Sequence, residues 1–174
     1  MAKLMKAVAY RKLERPYTRK SKYRKKDFIR GVPTNKVIKY NMGNLHKKFT
    51  HKITLVSKAD IQLRHNAIES ARKTANKHLE TKAPANYMFK IRLYCHHVLR
   101  NNPLAAGAGA DRMSTGMSHS FGKPIGVAAR VKKGQEIMEA YVNENRIDVG
   151  KKALHRARQK FPCDFYVRVE KIEN

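Results

Sequence analysis

Three consecutive residues, Cys95, His96 and His97, are the most suggestive of chemistry in this sequence. Thiolate and imidazole groups are common ligands of zinc. The residues around them alternate between apolar and polar, as in a β-strand, so Cys95 and His97 share one face and His96 lies on the other. Cys163 is a possible fourth ligand, but no zinc-type spacing supports it. We therefore predict no metal site, and interpret Cys95 as a buried thiol beside hydrogen-bonded histidines.

The glycine-rich segment 101–124 contains two further patterns that resemble motifs of enzymes. Gly107 and Gly109 begin a dinucleotide-like fingerprint, but Arg112 stands where its third glycine belongs and no helix pattern follows. Near His119 and Asp111 lie three serines, Ser114, Ser118 and Ser120. Nothing in their spacing fixes a catalytic geometry, and no predicted face carries paired carboxylates. We therefore predict no enzyme and no cofactor.

The charge of the chain indicates the kind of partner. Lys and Arg number 39 and Asp and Glu 13 among 174 residues, a formal net charge of +26, and the pI is near 10.4. Such self-repulsion weakens a free compact state, so a polyanionic partner is expected. Nucleic acid is favoured because Lys and Arg release counterions from phosphates. The rival, an anionic membrane surface, would need a broad apolar helical face, and the basic N-terminal region shows none.

Other classes of protein are constrained by composition. A hydrophobic fraction of 41% indicates a folded domain rather than a wholly disordered tail. No apolar run approaches the ~20 residues of a membrane span, and the N-terminus has no apolar signal-peptide core. Two cysteines without a short pairing motif predict reduced thiols and a cytoplasmic protein. A free-standing architectural DNA binder and an RNA-modifying enzyme with a cofactor stay as alternatives.

The first 30 residues are strongly basic and contain interleaved aromatic rings. Twelve of them are Lys or Arg, and Tyr10, Tyr17, Tyr23 and Phe28 lie among these. Lys and Arg hold phosphates, while aromatic rings stack on bases or pack into RNA grooves. We predict that residues 1–30 are an RNA-binding extension and that residues 31–174 form one domain. The residues expected to bind RNA are Arg11, Lys12, Arg15, Tyr17, Arg19, Lys20, Lys22, Tyr23, Arg24, Lys25, Lys26 and Arg30.

Segment 101–124 has neither the period of a helix nor that of a strand. Structureless loops longer than roughly 12–15 residues are usually functional or disordered. Its glycines permit close backbone approach, and Arg100, Arg112 and Lys123 can meet phosphates. If strands end at residue 100 and resume at 125, the segment can extend as a finger by roughly 40 Å, at ~3.3–3.6 Å per residue. A disordered surface insertion is the alternative.

Apolar spacing predicts two helices. The first covers residues 58–81, with Ser57 and Asp60 as its capping pair, and its buried face comprises Ile61, Ile68, Ala71, Ala75 and Leu79. The second covers residues 149–160, capped by Asp148 and stopped by Pro162, and its inward residues are Val149, Ala153, Leu154, Ala157 and Phe161.

Strands are predicted over residues 37–42 and 49–56, and over residues 87–99 as one long strand. Residues 125–131 and 135–142 are predicted to pair as a hairpin around a turn of Lys132, Lys133 and Gly134. Phe165, Val167 and Val169 alternate in a last strand. We find no internal repeat and no domain boundary after residue 31.

Three stretches carry a more specific pattern. They are Arg30 to Pro33 with Lys36 and Gly43; Glu69, Ala71, Arg72 and residues 75–77 of the first helix; and residues 108–113, 115–117 and 121–124 of the loop. These stretches resemble the archaeal and eukaryotic large-subunit ribosomal proteins of the L ten e family, the counterparts of bacterial L sixteen. The resemblance covers nearly the whole chain. Because the chain ends at Asn174 without the C-terminal extension of eukaryotic members, an archaeal source is expected.

The resemblance implies a hammerhead-type α+β fold with a mixed or antiparallel sheet and two helices, packed on large-subunit rRNA. It implies a place between the peptidyl-transferase region and the central protuberance, a loop that reaches tRNA acceptor arms, and a role in translation and late subunit assembly. The expected neighbours are other ribosomal proteins, with no membrane and no homo-oligomer. The loop residues expected near tRNA are Arg100, Gly107, Gly109, Asp111, Arg112, Met113, Thr115, Gly116, Met117, Phe121, Gly122, Lys123 and Pro124.

Overall fold

The described part of the chain folds into two β-sheets and two α-helices. The computed structural model describes residues 5–13, 29, 31–102, 107–109, 116 and 121–172. In chain order, the strands and helices are β1 (Asn41–Gly43), β2 (His51–Ser57), β3 (Ile61–Arg64), α1 (His65–Lys82), β4 (Met88–Ile91), β5 (His97–Asn101), β6 (Lys123–Val131), β7 (Glu136–Val142), α2 (Ile147–Arg158) and β8 (Phe165–Lys171). Short 3-10 helices occupy Ala7–Tyr10 and Glu144–Arg146.

Both sheets are antiparallel. The larger sheet has the strand order β1-β4-β7-β2-β8, and the smaller has the order β3-β6-β5. Every pair of neighbouring strands runs antiparallel. The predicted α+β class, with one domain, two helices and antiparallel pairing, is confirmed.

The helices pack against each other and against the sheets, α1 on β3 and β6 and α2 on β2 and β7. Helix α2 lies close to β2 at Gly150, where a Cβ would lie 2.4 Å from Cδ1 of Ile53. A side chain at this position would therefore require the terminal methyl group of Ile53 to move. The inward faces predicted for the helices are confirmed as core, with buried Ile68, Ala71, Ala75, Leu79, Ala153, Leu154, Ala157 and Phe161 and partly buried Val149.

The predicted start of the first helix is wrong. The helix begins at His65, and Ile61–Arg64 is instead strand β3, paired with β6. Ser57 donates its hydroxyl hydrogen to the carbonyl of Ala59 at 2.7 Å, and Asp60 accepts the backbone N–H of Lys133 at 2.7 Å. The two side chains therefore stabilise turns and do not cap a helix. Residues 61–64 form a strand because β6 offers hydrogen-bond partners to their backbone groups.

The long strand predicted over residues 87–99 is also wrong. It is two strands in different sheets, β4 in the larger and β5 in the smaller, joined by residues 92–96. The alternation of burial continues through Cys95, but Val98 and Leu99 are both buried. Alternation describes the two faces of an extended chain and does not reveal that the chain passes from one sheet to another.

The predicted pairing of residues 125–131 with residues 135–142 as a hairpin is wrong. Both strands exist, as β6 and β7, but β6 pairs with β3 and β5 while β7 pairs with β2 and β4. The turn between them does form, and the N–H of Gln135 donates to the carbonyl of Lys132 at 3.1 Å. A local turn signal predicts a change of direction, whereas the pairing depends on distant strands.

Two boundaries also differ from the sequence prediction. Strand β1 begins only at Asn41. At the predicted start, the N–H of Val37 donates to Asn35 Oδ1 at 3.1 Å and not to a neighbouring strand. Helix α2 begins at Ile147, so Asp148 lies in its first turn and is not the cap. A carboxylate in that position still favours the positive end of the helix dipole. The predicted strand from Phe165 is confirmed as β8.

Candidate nucleic-acid interface

The base of the glycine-rich loop is a pair of neighbouring antiparallel strands. Arg100 of β5 lies opposite Pro124 of β6, and Asn101 lies opposite Lys123. A register shift between Leu99 and Arg100 marks a bulge at this end of the pair. The loop therefore leaves the small sheet at the end of β5 and rejoins it at the adjacent start of β6.

Arg100 fastens the two sides of this base together. Its Nη1 donates to the carbonyl oxygen of Phe121 at 2.8 Å. The guanidinium carbon also lies 4.0 Å from the centroid of the Phe121 ring, within the range of a cation–π contact. The described contacts give Arg100 a positioning role, and its expected contact with phosphate or tRNA stays a prediction.

Gly122 lets the two sides approach each other closely. Its φ is +77°, and a Cβ there would lie 2.7 Å from the carbonyl carbon of Asn101 and 2.8 Å from the backbone nitrogen of Asn102. Both neighbours are backbone atoms on the opposite side of the loop base and cannot rotate away. Any other L-residue at this position would therefore disturb the base of the loop.

Only part of the loop itself belongs to the described residues. Residues 107–109 are exposed, and the carbonyl of Gly116 accepts a hydrogen bond from Asn102 Nδ2 at 3.5 Å. Lys123 and Pro124 are exposed where β6 begins. The predicted site residues Asp111, Arg112, Met113, Thr115 and Met117 lie outside the described residues.

The described part of the N-terminal region runs beside β3. Gln62 of β3 donates its N–H to the carbonyl of Arg11 at 2.9 Å and its Nε2 hydrogen to the carbonyl of Tyr10 at 2.8 Å. Arg11 and Lys12 are exposed, and Ile29 is buried in the core. The remaining predicted RNA-binding residues lie outside the described residues; they are Arg15, Tyr17, Arg19, Lys20, Lys22, Tyr23, Arg24, Lys25, Lys26 and Arg30.

A basic groove between the two helices is absent from the sequence prediction. Lys73, Lys77 and Lys82 of α1 line it together with Arg156 of α2. Within the described part of the chain, only Lys73 of these four has a carboxylate within 4.0 Å. The signal in the sequence is the i, i+4 spacing of Lys73 and Lys77, which places them on one helical face. Their convergence with Arg156 depends on how the helices pack.

His78 forms the floor of this basic groove. Its Nδ1 lies 3.0 Å from Nη1 of Arg156, and the ring is 8% exposed. Burial lowers the pKa of His78, and the positive charges of Arg156, Lys82 and Lys152 lower it further. The ring is therefore neutral near neutral pH, and its Nδ1 accepts a hydrogen bond from Arg156. The positive charge of the groove belongs to its lysines and to Arg156.

Cys95, His96 and His97 are not brought together. Burial raises the pKa of the Cys95 thiol to about 12, whereas His96 is exposed and His97 is half-buried. Across the described ranges, no group of three His, Cys, Asp or Glu side chains is placed to hold a metal ion. No helix among these residues is long and apolar enough to cross a membrane.

The amino-acid sequence is similar to proteins of one family. The family model described as ribosomal protein L16p/L10e matches residues 18–168. The chain is 45% identical over 166 residues to the large ribosomal subunit protein uL16 of Archaeoglobus fulgidus, covering 95% of this chain and 92% of that protein. It is 47% identical over 155 residues to the protein of the same name from Methanococcus maripaludis, covering 88% and 90%. It is also 47% identical to that of Staphylothermus marinus over 148 residues, covering 84% and 82%. The chain belongs to the L16p/L10e family of ribosomal proteins.

Proposed function

We propose that this chain is a structural constituent of the large ribosomal subunit in the cytoplasm, where it binds large-subunit rRNA among neighbouring ribosomal proteins. The family match over residues 18–168 is the observation that carries the proposal. The net charge of +26 supports an RNA partner, because each phosphate that Lys or Arg neutralises releases counterions. The chain acts as a component of the particle and not as an enzyme.

The rRNA-binding surface in this proposal has two parts. Residues 1–30 form the basic extension, of which exposed Arg11 and Lys12 are described beside β3. The groove of Lys73, Lys77, Lys82 and Arg156 forms a second part on the domain of residues 31–174. A groove lined by cations, with little neutralising carboxylate, favours phosphate oxygens.

The loop 101–124 has a separate role in this proposal. It approaches tRNA acceptor arms near the peptidyl-transferase region and supports translation and late subunit assembly. Two contacts support this role: the hydrogen bond from Arg100 to Phe121, and the close packing of Gly122 against the backbone of Asn101 and Asn102. Together they fix the direction in which the loop leaves the domain. A site that must meet another molecule benefits from a rigid base.

Sedimentation of a cell extract through a sucrose gradient tests the main proposal. We expect the protein to sediment with large subunits, and its absence from them would overturn the proposal. Purified protein should also prefer folded large-subunit rRNA to duplex DNA of equal length. Equal affinity for both would favour the alternative of an architectural DNA binder.

The separation between tail and loop is tested by two deletions. Removing residues 105–120 should leave association with rRNA largely intact but impair translation. Removing residues 1–28, a deletion that keeps the buried Ile29, should weaken association itself. A loop deletion that weakens association as much as the tail deletion would contradict a separate role for the loop.

The basic groove is tested by the salt dependence of binding to large-subunit rRNA. Lys77→Gln removes one groove cation and should lower the slope of log K against log salt by about 0.7–0.9. Lys77→Arg keeps a positive charge at the same exposed position and should keep the slope. An unchanged slope for Lys77→Gln would exclude Lys77 from phosphate contact.

A further inference from the structure

Residues 92–96, which connect β4 to β5, present two rings on their outer side. The alternation of the extended chain buries Leu93 and Cys95 and leaves Arg92, Tyr94 and His96 exposed. Tyr94 is 53% exposed although it lies within a segment whose alternate residues are core. A large ring left in water is available for a partner that offers a flat surface.

The two exposed rings belong to a small aromatic stack. The Tyr94 ring lies 5.8 Å from that of Tyr40 with an interplanar angle of 26°. It lies 4.6 Å from that of His96 with an angle of 50°. Tyr40 packs against the core, and its hydroxyl accepts a hydrogen bond from Asn35 Nδ2 at 2.9 Å. Tyr40 therefore supports Tyr94 in a defined orientation.

A groove of about 300 Å³ borders these rings. Its polar lining comes from Arg92, Tyr94 and His96 of the connection, His97 of β5, Arg130 of β6 and Gln135 before β7. Arg92 is positioned by the buried carboxylate of Glu139, with Nε 3.4 Å from Oε1, while its side chain stays 47% exposed. This volume is at the small end of ligand pockets in proteins, which span about 300–1,000 Å³.

We propose that this groove binds one unpaired nucleobase of RNA, which stacks on the Tyr94 ring while Arg92 and Arg130 face the flanking phosphates. The inference rests on the proposed function, since it specifies one element of the RNA partner. Apart from the rings and the buried Leu93, the lining is charged or amide, which disfavours an apolar side chain of a protein partner. A site for phosphate alone would need only cationic side chains. The exposed aromatic rings therefore indicate that a base binds here.

The base must be unpaired for a physical reason. In an RNA duplex each base face is covered by its neighbours, and the deep major groove of the A-form excludes side chains. A base from a bulge, a loop or a single strand exposes its π-face to an aromatic ring. Stacking of this kind tolerates any base, so the groove would select a single-stranded conformation rather than a sequence.

Tryptophan fluorescence tests the proposal, because the chain contains no tryptophan. Tyr94→Trp introduces one reporter in the full-length protein, and stacking on a base should quench its emission. The matched control is Tyr166→Trp, since Tyr166 is 40% exposed on β8, at the far edge of the larger sheet. The probes are single-stranded oligoadenylate RNA and an abasic oligoribonucleotide of the same length and charge.

We expect oligoadenylate to quench the Tyr94→Trp variant more strongly than the abasic RNA does, and more strongly than it quenches the Tyr166→Trp variant. Tyr94→Ala should weaken binding of oligoadenylate by about fivefold or more, whereas Tyr94→Phe should retain it. Equal quenching by the two RNAs, equal quenching at the two positions, or no quenching would each overturn the base site. Failure of the base site would not contradict the proposed function if the wild-type protein still sediments with large subunits. Absence of the protein from large subunits would overturn the proposed function, independently of the quenching result.

Discussion

Gly122→Ala is the substitution that best tests how the loop is held. At this position the structure combines a φ of +77° with backbone atoms of Asn101 and Asn102 within 2.8 Å of the added Cβ. Gly134 offers a matched control, because its φ is +80° and nothing lies within 4 Å of a Cβ placed there. The two alanine variants therefore share the conformational strain and differ in the steric clash.

The magnitudes follow from these two terms. A non-glycine residue in the left-handed region costs about 1–2 kcal/mol, which is the whole effect expected for Gly134→Ala. Gly122→Ala adds the cost of forcing a methyl group against packed atoms, about 1–3 kcal/mol. The difference between the variants corresponds to about 2–12 °C in Tm, at about 2–4 °C per kcal/mol for a domain of this size.

Thermal unfolding followed by circular dichroism measures this difference on the full-length proteins. Hydrogen exchange then locates it, and we expect faster exchange of the β5 and β6 amides in Gly122→Ala than in Gly134→Ala. Equal Tm values for the two variants, or faster exchange confined to the larger sheet, would refute the reasoning. Equal Tm values would show that the backbone at the base of the loop moves to accommodate the methyl group at little cost. Faster exchange confined to the larger sheet would show that the packing of β5 against β6 does not depend on Gly122.

Three further predictions concern stability and reactivity. Glu69→Gln should lower the free energy of unfolding by about 1.5–3 kcal/mol, because Arg72 donates two hydrogen bonds to Glu69, each of 2.7 Å; urea unfolding measures this. These hydrogen bonds from Arg72 are the largest cause of a lowered pKa of Glu69. The ionised carboxylate therefore stabilises the folded protein above pH 4.5, its ordinary pKa, and this stabilisation is lost as the pH falls through the folded-state pKa. Burial lowers the pKa of His65, and the positive charges of Lys36 and Arg64 lower it further. The unfolded chain therefore binds a proton at His65 more readily than the folded protein does, and Tm should fall as the pH drops below 6.5. The substitution His65→Gln should reduce this dependence of Tm on pH. In the folded protein a thiol reagent should modify half-buried Cys163 before Cys95, whose pKa burial raises to about 12, as mass spectrometry can show.

Each of these predictions has an outcome that contradicts it. Unchanged urea unfolding in Glu69→Gln would show that the ion pair contributes nothing to stability. For the histidine, replacement of exposed His46 by glutamine is the control, and an equal effect of both substitutions on the pH dependence would deny His65 its role. Simultaneous modification of Cys95 and Cys163 would show that the core around Cys95 opens readily.

The sequence predicted the buried faces of the elements well. Residues such as Ile68, Leu79 and Leu154 recur at helical spacing, and the structure buries each of them. Periodicity succeeds here because a helix or strand on a domain surface must turn its apolar side inward. The charge of the chain and the pattern of the loop likewise indicated an RNA partner and the family before any fold was known.

Part of the candidate site was also predictable, and part was not. The sequence placed Arg100 and the segment around Phe121 at the two ends of one loop, but not the contact between them. The basic groove escaped prediction because Arg156 lies far from Lys77 in sequence. Such convergence is produced by helix packing, which local spacing does not encode.

Which strands pair was decided by the tertiary structure alone. A turn and two apolar runs over residues 125–142 predict a hairpin, yet β6 and β7 belong to different sheets. Residues 87–99 likewise alternate as one strand but are divided between the two sheets at 92–96. The physical reason is common to both cases: alternation states which side chains avoid water, whereas pairing depends on which distant backbone completes the hydrogen bonds. By itself, therefore, the sequence determined the faces, the charge and the family pattern, and the tertiary structure determined the partners.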